Sequence, residues 1–128
     1  MPVKMILGSK RMADLTRAVE RHCELFNECV RTGDWAPFTA SLTDDALMAF
    51  TNMPVGPFHG RDQIAVAYAE QPPTDTMTLE AVETLDQDTA RALFMWDASG
   101  DDGQMLLRWR GDQVSAIEVT FGAQTTST

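Results

Sequence analysis

TMTLEAVETLDQDTARALFMWDASGDDGQMLLRWRGDQVSAIEVTFG, residues 76–122, decides the fold. Cut at its turn residues, it falls into four short apolar-rich runs. Thr76 to Leu85 ends at Asp86-Gln87-Asp88. Thr89 to Ala98 runs into Ser99 to Gly103, a loop with two glycines and two aspartates. Gln104 to Arg110 stops at Gly111-Asp112, and Gln113 to Gly122 closes the stretch. Runs of this length between such turns read as an antiparallel meander.

Alternation sorts the side chains of each strand onto two faces. One face is expected to hold Leu93, Met95 and Asp97 beside Met105, Leu107 and Trp109, with Ile117, Val119 and Phe121 from the last strand. This is the face expected to meet the core. The opposite face then holds Ala92, Phe94 and Trp96 with Leu106, Arg108 and Arg110. A strict two-residue hairpin at Gly111-Asp112 would shift the parity and turn Arg108 inward in place of Trp109, because one step flips every side chain.

Upstream the period changes from two to that of a helix. Leu15, Ala18, Val19, Cys23, Phe26 and Val30 recur at helical spacing, so the sequence predicts a helix from about Asp14 to Thr32 with one stripe on a core. Gly33 is its stop signal. Asp34 can cap a second short helix, with Pro37 in its first turn and Trp35, Phe38 and Leu42 on its buried side. Thr43-Asp44-Asp45 reads as a turn and Ala46 to Thr51 as a strand. Met53 to Pro57 is a loop, because two prolines and a glycine leave too few ladder donors. Gly60 to Glu70 is a third helix with Ile64, Ala65 and Tyr68 on one side, ended by Pro72-Pro73.

Three helices on a curved, mostly antiparallel sheet is an α+β plan. Residues 12–122 form its single domain, preceded by a loose leader over 1–11 and followed by a polar tail over 123–128. At 128 residues the chain is long enough to bury a core without a metal or disulfide staple. The net charge of −9 repels phosphate backbones and anionic lipid, which excludes nucleic acid and membrane surfaces as natural partners. The run Met5-Ile6-Leu7 is too short for a signal-peptide core or a membrane span, so a cytoplasmic location is expected. Cys23 and Cys29 lie six residues apart along one helix, too far for a disulfide, and read as buried thiols. Those two thiols with His22 and His59 make a poor zinc set, and no P-loop, dinucleotide fingerprint or Ser-His-Asp order is present. No cofactor or metal is expected.

Several short motifs then resemble the SnoaL-like and ketosteroid-isomerase-like branches of the nuclear transport factor two superfamily. Arg31-Thr32-Gly33-Asp34-Trp35 is similar to the family's junction after helix one, and Thr43-Asp44-Asp45-Ala46 to its entry into the first strand. Gly56-Pro57-Phe58-His59-Gly60-Arg61-Asp62-Gln63-Ile64 resembles its start of helix three, and Val119-Thr120-Phe121-Gly122 its closing strand. The resemblance spans about residues 13–122. It implies a cystatin-like cone around an apolar pocket and, often, a dimer through the sheet. It does not establish an activity, because this fold hosts many unrelated ones. Ketosteroid isomerases use a tyrosine on helix one, an aspartate base on the first strand and a protonated aspartic acid on a later strand. Those positions fall on Phe26, on Phe50 and near Met105, and none of these side chains can move a proton.

The resemblance makes Phe26, Val30, Phe50, Met95, Met105, Leu107, Trp109, Ile117 and Val119 candidates for a dry pocket wall, although the same stripe fits plain core filling. Asp97 is the foremost acid–base candidate: beside apolar walls its pKa would rise by desolvation, whereas at a solvated strand end it is a turn residue. His22, one turn before Phe26, either reaches the pocket or packs at the core rim. Asn52 and His59 are candidates to hold a polar atom of a ligand at the mouth. Three functions follow: a cofactor-free isomerase, cyclase or dehydratase on an apolar carbonyl compound; a protein that binds such a molecule unchanged; or a structural homodimer using the Phe94–Trp96 face.

Overall fold

The computed structural model describes residues 3–51 and 54–121, with side chains over 14–51 and 54–120. The elements run α1 (Val3–Thr32), α2 (Ala36–Ala40), β1 (Leu42–Thr51), β2 (Phe58–His59), α3 (Arg61–Glu70), β3 (Met77–Thr84), β4 (Thr89–Trp96), β5 (Asp102–Arg110) and β6 (Gln113–Phe121). The strands form one six-stranded sheet in the order β2-β1-β6-β5-β4-β3. β1 and β6 pair in parallel and every other pair is antiparallel. The α+β expectation and the mostly antiparallel sheet hold.

α1 starts at Val3, well before Asp14, so helix replaces the loose leader from that residue on. Residues 3–13 contain no proline, and a helix nucleated further along extends through such a stretch at little cost. The tail expected over 123–128 lies outside the described residues, as does Asn52. α1 buries Leu15, Val19, His22, Cys23, Phe26 and Cys29, a stripe that includes both thiols and one histidine. Both cysteines are free, and burial pushes the Cys23 thiol up to about 12, with the Glu24 charge adding to it. α1 ends at Gly33, whose φ of 79° suits glycine and whose N–H donates to the Cys29 carbonyl at 2.8 Å. The N-cap of α2 is Trp35, not Asp34, and it makes no side-chain cap hydrogen bond; the Asp34 carboxylate, one residue earlier, accepts from the Ala36 N–H at 3.1 Å.

Asn27 fastens α1 to the sheet edge. Its Nδ2 donates to the Met77 carbonyl and its Oδ1 accepts from the Met77 N–H, each at 2.9 Å. One amide thereby satisfies both backbone groups at the start of β3 and holds that strand against the helix. At the other edge, the Arg61 Nη1 donates to the Leu42 carbonyl at 3.2 Å and its Nη2 pairs with Asp44, tying α3 to β1.

Three register irregularities interrupt the sheet. Thr43-Asp44-Asp45, expected as a turn, lies within β1 as the shift between Leu42 and Leu47. A second shift falls between Leu79 and Ala81 in β3, and a third between Arg108 and Trp109 opposite β6. Such bulges bend strands and increase their twist, which curls the sheet around α1.

The third irregularity answers the hairpin question. Gly111-Asp112 is a strict two-residue connection, with Arg110 opposite Gln113. The bulge then restores the parity: Trp109 pairs with Val114, Leu107 with Ile117, and Trp109 stays inside while Arg108 faces out.

β4 overturns an expectation. Ala92 stands opposite Met105 and Ala90 opposite Leu107, so the residues sharing the inner face with Met105 and Leu107 are Ala90, Ala92 and Phe94. Leu93 is exposed and Met95 points the same way. The face assignment read from alternation was shifted by one residue, because both faces of β4 are apolar and only the pairing fixes which one is inside. Phe94, only 1% exposed, and half-buried Trp96 therefore lie on the inner face of the sheet and not on its outer one.

Gly103 lets Phe94 reach this position. A Cβ on Gly103 would lie 2.8 Å from the Phe94 Cζ, so the ring occupies the space a side chain would take. Gly103→Ala should cost about 1–3 kcal/mol of stability by displacing that ring. Urea unfolding checks this, and an unchanged midpoint would mean the ring moves aside freely.

Candidate functional site

A cavity of about 800 Å³ lies between the concave face of the sheet and the helices. α1 supplies His22 and Phe26 to its wall, α2 supplies Phe38, and β1 supplies Met48 and Phe50. Met77, Phe94, Trp96, Met105, Ile117 and Val119 come from the remaining long strands. α3 and the segment after it form the opposite side through Val66, Ala67, Tyr68 and Pro73. The exposed part of the lining carries the polar residues Asp62, Gln63, Glu70, Gln71 and Thr74 beside the exposed Val55 and Val66. The result is an apolar interior with an acidic rim.

Five of the candidate wall residues are in place: Phe26, Phe50, Met105, Ile117 and Val119 all line the cavity. Among them are the three positions where the isomerase comparison would put a tyrosine, a base and an acid. The cavity thus has apolar groups where that chemistry needs proton carriers. Leu107 and Trp109 are buried but stand in the core away from the cavity, and Val30 packs against that core without lining it. Met95 is turned away by the register of β4. His59 is exposed on β2 opposite Leu47, outside the cavity wall.

Asp97 is also outside. Its carboxylate is exposed and accepts from the Thr76 and Thr78 hydroxyls, at 2.6 and 2.5 Å. These two hydrogen bonds hold its pKa below the usual aspartate value, the reverse of the shift expected from burial. The residue staples the end of β4 to β3 and does not face the cavity.

His22 does face the cavity. The side chain is 6% exposed, and its ring centroid is 5.4 Å from that of Phe38. Burial lowers its pKa to about 4, so the ring is neutral at physiological pH. Its Nδ1 is buried and has no hydrogen-bond partner among the described residues. Trp35 Nε1 is a second buried donor without a partner there, but Trp35 lies behind the cavity wall. The Tyr68 hydroxyl, also on the inner wall, donates to the Met48 sulfur at 3.4 Å, and burial raises its pKa.

The alternation rule missed Phe94 and Trp96 because it chose the wrong face of β4. Phe38 and Tyr68 were legible as buried residues of α2 and α3, but nothing local showed that they face a void. Met77 stands between Thr76 and Thr78 and is legible from strand parity alone, whereas Met48 stands between Leu47 and Ala49, where no polar neighbour marks the outer face.

Among the described residues no three His, Cys, Asp or Glu side chains gather as a metal cluster. No helix there is long and apolar enough to cross a membrane. No protein-family model and no curated protein sequence matches the chain.

Solved structures do match. An NTF-2 like protein of unknown function from Burkholderia xenovorans superimposes with a TM-score of 0.63 at 11% identity, over 83% of this chain and 84% of that one. A Nostoc punctiforme domain of unknown function with a cystatin-like fold gives 0.64 at 11% identity, over 82% and 75%. A Bacillus subtilis protein, provisionally called an isomerase, gives 0.64 at 16% identity, over 81% and 88%. The chain has the NTF2-like, cystatin-like α+β fold. At these identities the likeness establishes the cone and leaves its contents to this chain's own residues.

Proposed function

We propose that the chain is a SnoaL-like pocket protein that takes one small, largely apolar molecule into the cone. The observation that carries this reading is the cavity of about 800 Å³, walled by aromatic, thioether and aliphatic side chains. That volume falls in the range of about 300–1,000 Å³ typical of small-molecule sites. Binding without chemistry is the simplest use of such a wall: its carboxylates stand at the rim, and a histidine with a pKa near 4 is a weak base at neutral pH.

A second reading is a cofactor-free isomerase, cyclase or dehydratase. It is favoured by one observation, the polar His22 ring set into an otherwise apolar wall. In that case His22 would be the first acid–base group of the inner wall, and Asp97 would have no part.

Nile red, a neutral dye whose emission shifts blue in apolar surroundings, tests the pocket. Wild-type protein should bind it saturably, with about one dye per chain. Val119→Trp, which fills the inner wall, should abolish the shift while leaving the far-UV circular dichroism unchanged. Emission unaltered by excess wild-type protein, or binding that survives the filled cavity, would sink the pocket reading.

A further inference from the structure

We infer that His22 is the polar reading point of the cavity, where Nδ1 takes the single hydrogen-bonding oxygen of an otherwise apolar, uncharged ligand: a ketone or alcohol, not a carboxylate. This rests on the pocket reading and specifies its ligand class. Three observations converge on it.

The first is the unsatisfied nitrogen. His22 is 6% exposed, lines the cavity, and its buried Nδ1 meets no partner among the described residues. A buried polar atom without a partner is costly, and a ligand oxygen arriving at the cavity wall relieves that cost.

The second is the lack of competition. Phe26, Phe38, Phe94 and Met105 offer a ligand no strong hydrogen bond, and the Tyr68 hydroxyl is engaged with the Met48 sulfur. Among the described residues of the inner wall, His22 Nδ1 is the buried polar atom without a partner, so a ligand oxygen gains most there.

The third is the sign of charge. The described lining includes Asp62, Glu70 and Asp75 and no lysine or arginine. Asp75 is occupied in accepting from the Ala98 N–H at 3.0 and 3.2 Å. An entering carboxylate would pass acidic groups and then lose its hydration with no cation to receive it. Burial keeps the imidazole itself neutral, so it does not supply that cation. A neutral ring carries one N–H and one lone pair, so Nδ1 donates to a ketone or accepts from an alcohol according to its tautomer.

Pyrene derivatives of matched shape test this by fluorescence at pH 7.5: 1-ethylpyrene, 1-acetylpyrene, 1-(1-hydroxyethyl)pyrene and 1-pyrenecarboxylate. Wild-type protein should bind at least one of the two neutral oxygen probes about tenfold more tightly than 1-ethylpyrene, and the carboxylate most weakly. In His22→Leu the oxygen preference should vanish while 1-ethylpyrene still binds. A readout without mutation is the imidazole 15N spectrum of the wild type: the Nδ1 resonance should move on saturation with the preferred oxygen probe and stay with 1-ethylpyrene. Equal binding of the neutral probes, a preference that survives His22→Leu, a carboxylate that binds best, or an unmoved Nδ1 resonance would overturn the inference and leave the pocket standing. Failure of all four probes to bind would remove the pocket and the inference together.

Discussion

Phe38→Ala should remove about 3–5 kcal/mol of folding stability, the cost usual for emptying a buried phenylalanine site. The side chain is 1% exposed and is surrounded by four rings. Its centroid lies 5.3 Å from Tyr68 in a stacked pair at 11°, and 5.4 Å from Trp35 in an edge contact at 83°. Phe26 is at 6.2 Å and His22 at 5.4 Å. Phe38 thus joins α1, α2 and α3 at one point. α2 has five residues, too few to hold a helix by its own hydrogen bonds, so its place depends on what Phe38 and Trp35 bury. Such a loss is a large share of the roughly 5–15 kcal/mol that holds a domain together. Urea unfolding with an unchanged slope is the measurement. A loss under about 1 kcal/mol would show that the cluster collapses onto the gap without strain, and that the cavity wall is softer than these contacts imply. Because Phe38 also lines the cavity, the same variant should admit bulkier ligands if it stays folded.

The elements were legible because their signals are local. The period of α1, the Gly33 stop and the turns at Asp86 to Asp88 and Gly111-Asp112 each depend on a few neighbouring residues. What stayed hidden depends on partners distant in sequence. ALFMW in β4 reads as apolar on both faces, and its parity is set by Ala92 standing opposite Met105. The inward face of β5 follows from alternation, but its relation to β6 depends on a bulge that restores what the tight hairpin would shift. Asn27 carries no local mark of its bonds to Met77, fifty residues further along the chain.

The candidate site divides along the same line. Phe26, Phe50, Met105, Ile117 and Val119 were readable from their elements and the resemblance. Asp97 looked like an acid beside an apolar wall, but its neighbours along the chain gave no sign of Thr76 and Thr78, which bind it outside. Conversely, His22 is legible from its place one turn before Phe26, but only as a residue that either reaches the pocket or packs at the core rim. Its significance comes from burial without a partner, which a sequence does not record.

His22 should also make folding stability fall steeply with acid. Its folded pKa is about 4, against 6.5 for an unperturbed ring. Between those values the unfolded chain binds a proton that the folded chain refuses, so stability rises with pH across the window. The contribution is present in full above pH 6.5 and is lost as pH falls toward 4; a shift of this size corresponds to about 3 kcal/mol. Asp45, Asp86 and Asp97 have pKa values lowered by hydrogen bonds, so their contributions are also lost in acid, but below the ordinary aspartate value of 3.8 and hence below this window. His59, the other histidine of the chain, is exposed and lies outside the buried cluster. Urea midpoints measured from pH 7.5 down to 4.5 should therefore fall progressively in the wild type. In His22→Leu they should stay nearly level over the same range, because the titrating ring is gone. A wild-type curve as flat as that of the variant would mean the ring is solvated or paired in the folded protein. It would then have neither the buried neutrality nor the free nitrogen that makes it the polar point of the cavity.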